Sequence, residues 1–226
     1  MMTKSIPMQI LTDAQLADLV SQSSLLEGEV SKPKVLLDAN GYIYKFFYQP
    51  DRKLSSRTLF PPFKQFVKNS QILSKRNVQT VSVCETMIAQ DKRFDAIRYQ
   101  AIEGHDFREH LKQSDHGAIS IIVDIMTELH HQGVFFRAIH LGNILHQPNG
   151  DYALIDISDC WFSFGKLNTF KRARNLAHLM NYHSDKSYFS NYGNDRFLNE
   201  YADKSKLNKT SLWFIKAYVR HKGVKL

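Results

Sequence analysis

The sequence predicts an α+β protein of two lobes, a small antiparallel sheet with one main helix followed by a mainly helical lobe. Three observations carry this reading. Short runs of β-branched and aromatic residues crowd the N-terminal part, apolar residues at helical spacing dominate the C-terminal part, and the character changes at Gly104 without a low-complexity linker or an internal repeat. The lobes are placed at residues 1–103 and 104–226, with a hinge at residues 99–104. At 226 residues and 43% hydrophobic composition, the chain can bury a substantial core.

Each element has its own signal. Thr12 and Asp13 are set to cap a short helix through Val20, with Leu16, Leu19 and Val20 facing inward. The runs KVLLD (34–38) and YIYKFFY (42–48) form a hairpin around Asn40 and Gly41. In PPFKQFVKNSQIL, the residues Phe63, Phe66, Val67, Ser70 and Leu73 recur at helical spacing behind Pro61 and Pro62. TVSVCETMIA (80–89) and FDAIRYQAI (94–102) supply two more strands. Asp106 with Glu109 begins a short helix, and Ser114 or Asp115 caps a longer one that buries Ile119, Ile122, Val123, Met126 and Leu129 and stops at Gly133. Beyond Phe170, NDRFLNEYAD and KTSLWFIKAYVRHK are helical.

Composition narrows the function classes. The longest nearly continuous apolar run, AISIIVDIM from Ala118, is broken by Asp124 and falls short of the ~20 residues of a bilayer span. The first residues do not read as a secretory signal, so a cytoplasmic protein is expected. Cys84 and Cys160 show no zinc or disulfide pattern. A net charge of +8 favours anionic partners without choosing among them. Nucleic acid is not expected, because no recognition motif accompanies the charge.

The chemistry concentrates in FFRAIHLGNIL (135–145) and LIDISD (154–159). Between them Asn149 and Gly150 are a strong hairpin signal. With those two as the turn, Leu145 faces Leu154 and Asn143 faces Asp156. A three-residue loop would break that facing. An amide oxygen beside a carboxylate suits a magnesium ion that also holds substrate phosphates.

These stretches resemble the catalytic loop and metal-binding segment of kinase-like phosphotransferases. The arrangement Phe136, Arg137, His140, Leu141, Gly142, Asn143, then Leu154, Ile155, Asp156, Ile157, Asp159, then Arg172, Arg174, Asn175, His178, Leu179 is similar to the lipopolysaccharide kinase-like group labelled toluene tolerance proteins. The resemblance spans residues 33–183. It implies a protein kinase-like fold and ATP and magnesium as cofactors, with Asn143 and Asp156 as metal ligands. It also implies Lys45 on the nucleotide phosphates and residues 99–104, with Tyr99, Ala101 and Glu103, around the adenine. The implied acceptor is an envelope sugar of the lipopolysaccharide core, an anionic partner met at a peripheral contact with the inner membrane.

The pattern also departs from that family. Where the catalytic loop needs an aspartate, five residues before Asn143, the chain has Ala138. The helix that should supply a glutamate to Lys45 has Asn69, a third acidic position is Asn175, and Gly41 stands without a glycine-rich phosphate cover. Asp159 reads as a second metal ligand, a catalytic carboxylate or, as the safest reading, a helix cap, and it is the preferred replacement base; His140 is read as structural with a base role as alternative, and Arg137 is equally a phosphate ligand or a loop support. Arg172 and Arg174 are read as solvent-facing, and Trp161, Phe162, Phe164 and Phe170 as packing. Two functions stay open: a phosphotransferase with an altered base, and a pseudokinase that binds nucleotide or partners without chemistry.

Overall fold

The protein is described by a computed structural model covering residues 6–49, 60–113 and 118–226. The expected cap at Ser114 or Asp115 lies outside the described residues. The chain divides into two units, residues 1–75 with 80–102, and residues 76–79 with 103–226.

The N-terminal unit is a six-stranded sheet in the order β1-β5-β6-β4-β3-β2. Its strands are β1 (Met8–Leu11), β2 (Ser23–Glu29), β3 (Lys32–Asp38), β4 (Tyr42–Tyr48), β5 (Val83–Ala89) and β6 (Phe94–Gln100). Four were expected, and all were expected to be antiparallel. The structure adds β1, parallel to β5, and β2, antiparallel to β3. Both are edge strands with mostly exposed side chains, so neither shows the apolar alternation that betrays a half-buried strand. In the β2–β3 hairpin Gly28 lies at φ +97, and a Cβ there would sit 2.6 Å from the Lys34 nitrogen, so only glycine fits this irregular turn.

Helix α1 (Asp13–Ser21) begins as expected: the Thr12 hydroxyl accepts from the Gln15 N–H, and the Gln15 side chain accepts from the Thr12 N–H. Its Leu16, Leu19 and Val20 pack on Leu36, Tyr44, Phe46, Met87, Phe94 and Ala96. Strand side chains alternate between faces, so Lys45 and Phe47 point the other way. There Phe47 meets Phe63 and Phe66 of α2 (Pro62–Lys75), at 6.0 and 5.9 Å between ring centroids. Lys45 is thereby placed on the helix-facing side of the sheet.

The C-terminal unit is mainly helical: α3 (Phe107–Gln113), α4 (Ile119–His131), α5 (Thr169–Asn181), α6 (Lys186–Tyr192), α7 (Asn194–Lys204) and α8 (Lys209–His221). Helix α4 buries Ile119, Ile122, Val123, Ile125, Met126 and Leu129, each contributing roughly 1.5–3 kcal/mol, and ends before Gly133 at φ +70. Asp106 caps α3 by accepting from the Glu109 N–H at 2.9 Å. Two small ladders complete the unit: β8 (Val134–Phe136) with β11 (Cys160–Phe162), and β10 (Tyr152–Leu154) with β9 (Ile144–His146) and β7 (His105–Asp106).

Candidate active site

The stretch between β8 and β9 is held by both ladders. At its start the Arg137 N–H donates to the Asp159 carbonyl at 3.1 Å; at its end the Asn143 carbonyl accepts from the Ile155 N–H at 3.0 Å. The motifs at 135–145 and 154–159 therefore meet along their length, bringing Arg137, Asn143, Asp156 and Asp159 into one region.

The hairpin register differs by one residue from expectation. Tyr152 faces His146, Ala153 faces Leu145, and Leu154 faces Ile144. Pro148, Asn149 and Gly150 form a three-residue loop closed by Gln147 N–H to Asp151 O at 2.9 Å, with Gly150 at φ +88. Such loops place a left-handed glycine at their third position. Asn143 consequently lies opposite Ile155, with Asp156 one residue beyond. Asp156 leaves the ladder in the left-handed conformation, φ 53 and ψ 45, unusual for a residue with a side chain. Its negative charge acts on both the His140 ring and the Cys160 thiol, so the carboxylate stays near the loop despite the shifted register.

Asn143 is buried, and its amide nitrogen donates to the Ala138 carbonyl at 3.1 Å. A carbonyl can only accept, so this bond orients the amide and directs its oxygen away from Ala138. The side chain thus bridges the two loop positions where the kinase pattern places its metal ligand and its missing carboxylate.

A buried carboxylate braces the loop. Asp185, fully buried, accepts from the Leu141 N–H at 2.7 Å and from Arg108 Nε at 2.6 Å. Arg108 also reaches His140 Nδ1 at 3.2 Å. A Cβ on Gly142 would press on the Arg108 guanidinium and displace it. Arginine only donates, so His140 Nδ1 accepts and the ring proton sits on Nε2. Burial and then the Arg108 charge hold His140 below the usual imidazole range, with Asp185 and Asp156 opposing. The ring stacks on Tyr182 at 4.4 Å between centroids. His140 is a neutral, fixed ring whose remaining nitrogen offers a proton rather than taking one, which favours the structural reading over the base.

A second chain of bonds fixes the loop's entry. Arg172 donates to the Tyr201 hydroxyl at 2.8 Å, Tyr201 to His130 Nδ1 at 2.6 Å, His130 Nε2 to the Asn175 oxygen at 3.2 Å, and the Asn175 amide to the Phe136 carbonyl at 2.7 Å. All five residues are buried, and burial pushes His130 down to about 3. Arg172 is thus buried rather than solvent-facing, because it closes this relay. Asn175, noted for its missing charge, is the link that holds Phe136. Arg174 is exposed, as expected.

Asp156, Asp159 and Arg137 are all exposed. Packing was expected of the aromatic residues that follow, yet Phe164 is fully exposed and Trp161 and Phe170 are about half exposed. Lys45 sits 5.6 Å from the Phe66 ring centroid, and Tyr99 stacks on the same ring at 6.0 Å. Asn69, one turn after Phe66, is buried, and α2 contains no carboxylate. Of the suggested adenine contacts, Tyr99 and Ala101 belong to the N-terminal unit and Glu103 to the other. The Ala101 N–H donates to the Gly41 carbonyl at 2.9 Å.

Among the described residues no three His, Cys, Asp or Glu side chains converge on a metal position. Asn143 and Asp156 are a different donor set, one amide and one carboxylate oxygen, which fits a hard cation that takes its other ligands from phosphates and water. The sequence reading missed Arg108, Asp185 and His130. No motif marks them; their signal is burial of charge, which appears only when distant segments meet.

The fold defined by these elements is that of a two-lobed kinase-like protein. Among solved structures, WbdD bound to a kinase inhibitor aligns with a TM-score of 0.50 and 13% identity, over 83% of this chain and 42% of that one. A WbdD structure described as a bifunctional kinase-methyltransferase gives a TM-score of 0.45 at 14% identity, over 82% and 47%. The likeness is one of fold, and the chain spans less than half the length of these WbdD chains. No family profile and no curated protein sequence matches the chain. Among the described residues, no helix is long and apolar enough to cross a membrane.

Proposed function

We propose that the chain is an ATP- and magnesium-dependent phosphotransferase related to the lipopolysaccharide kinase-like group, acting on an anionic envelope sugar from the cytoplasmic side of the inner membrane. One observation carries the reading: the Asn143 amide is oriented by Ala138 on a loop clamped by Asp185, one residue out of register from Asp156. In this reading Asn143 and Asp156 hold the metal, Lys45 takes the nucleotide phosphates, and residues 99–104 lie at the adenine. The bound metal would neutralise charge on the transferring phosphoryl group. The chain's own residues position. Asp185 and Arg108 fix the loop, His140 packs it, and Arg137 offers its guanidinium from the loop's start.

The acceptor's proton is the weak point. Ala138 carries no carboxylate, and His140 presents a proton. Asp159 is the proposed base, because its backbone is bonded to Arg137 and so holds it beside the loop. Loss of a general base costs about 10²- to 10⁴-fold rather than all activity. The second reading, a pseudokinase that binds nucleotide or partners, is favoured by the absence of any carboxylate in α2 together with Ala138.

Thermal unfolding with ATP, with and without magnesium, tests the site. A ligand of the native state raises the transition by mass action. Wild type is expected to be stabilised only when both are present, and Asp156→Ala to lose that shift. No shift in wild type at millimolar nucleotide would overturn the nucleotide-binding reading.

A further inference from the structure

The C-terminal unit contains a cavity of about 640 Å³ walled by α5, by the residues after it, by the end of α8 and by Arg137. This volume is typical of small-molecule sites, roughly 300–1,000 Å³. Three cations line it, Arg137, Arg174 and Lys222, and among its described lining residues there is no carboxylate. A concave wall of one sign focuses potential and draws in an anion. None of the three cations forms an ion pair among the described residues. Instead Arg174 lies 5.7 Å from the Phe135 ring centroid and Lys222 lies 5.7 Å from that of Tyr218. Aromatic faces thus position the charges while their N–H groups stay available to a ligand.

The remaining walls suit a ring. Phe170 and Tyr218 meet edge to face at 5.6 Å, and Phe170 is half exposed, so apolar faces border the cations. His178 and His183 add polar groups for hydroxyls. We propose that this cavity binds a phosphate-bearing ring compound, of which a sugar phosphate is the simplest, with the phosphate on Arg174, Lys222 and Arg137 and the ring against Phe170 and Tyr218. Binding stands whether or not the chain uses nucleotide. Its role as the acceptor site rests on the phosphotransferase reading, through Arg137, which adjoins Ala138.

The test is calorimetric titration of the full chain with glucose 6-phosphate in EDTA and without nucleotide, beside glucose. Saturable binding of glucose 6-phosphate is expected, weakened by salt, with glucose binding at least about tenfold more weakly, since each charge-assisted hydrogen bond accounts for about a factor of ten or more. The double variant Arg174→Gln, Lys222→Gln is expected to lose binding by about tenfold or more, and Asp156→Ala to retain it. Equal binding of glucose and glucose 6-phosphate, or undiminished binding by the double variant, overturns the proposal. Phenylglyoxal modification of wild type reads the same contact without substitution: glucose 6-phosphate should protect Arg174, and equal modification with and without it overturns the site. Competition by phosphatidylcholine vesicles carrying phosphatidic acid would assign the phosphate to a lipid-borne ligand, and absence of competition to a free one. Because no ATP or magnesium is present, failure here and failure of the nucleotide reading are separate results.

Discussion

The two units treat charge in opposite ways. In the N-terminal unit Lys45 lies against the Phe66 ring on a helix without any carboxylate, and the buried polar residue one turn on is Asn69. In the C-terminal unit a buried carboxylate, Asp185, binds an arginine and a loop N–H together, and a buried relay of four side chains fixes the loop's entry. The bonds that fix side chains in place are concentrated in the C-terminal unit. The loop bearing Asn143 is braced through Phe136, His140 and Leu141, whereas α2 carries no carboxylate.

The largest effect should come from removing that buried charge. Asp185→Ala leaves Arg108 without its partner and the Leu141 N–H unsatisfied, and breaking a buried pair costs about 3–5 kcal/mol. Urea denaturation should show a loss of this size; a loss below about 1 kcal/mol would mean that the loop is not braced as described.

A smaller effect sharpens the contrast through pH. His130 is held neutral by burial at about 3, so between the usual imidazole value and that limit only the unfolded chain takes up its proton. Stability is therefore full above pH ~6.5 and falls as pH drops below it, by about 1.4 kcal/mol per unit from this residue. From pH 6.5 to 5 this residue should contribute about 2 kcal/mol to the fall in unfolding free energy, and His130→Gln should lessen the slope, to which His110, His131, His140 and His178 also contribute. An unchanged slope in the variant would remove His130 from the account.

The smallest stability change is expected in the N-terminal unit. Lys45→Met should alter unfolding by less than about 1 kcal/mol, because methionine keeps the apolar stem of a half-buried side chain against the Phe66 ring. Its ATP affinity should nevertheless fall by about tenfold or more, measured by titration. A large stability loss would show that Lys45 is a structural cation.

What the sequence made legible follows from local physics. The α1 cap at Thr12, the α2 stripe ending at Leu73 and the stop at Gly133 each depend on neighbours within a turn, and each appears as read. The two edge strands were invisible because exposed strands such as Ser23–Glu29 lack alternation. The hairpin slipped by one residue because Asn149–Gly150 fits both a two- and a three-residue loop, and that choice moved Asn143 opposite Ile155. Arg172 was misjudged because a helix position that looks basic and solvent-facing closes a relay to Tyr201, some thirty residues away. Asn143 and Asp156 stand out by motif as candidates; the residues that brace the loop around Asn143 do not.

In the proposed function Asn143 and Asp156 act together on a metal-bound nucleotide. The most direct measurement is titration of magnesium into each protein with a fluorescent ATP analogue, comparing wild type with Asn143→Ala and Asp156→Ala. Wild type should bind the analogue more tightly as magnesium rises, and both variants should lose that response while remaining folded. Binding indifferent to magnesium in wild type, or a magnesium response intact in both variants, would contradict that joint action.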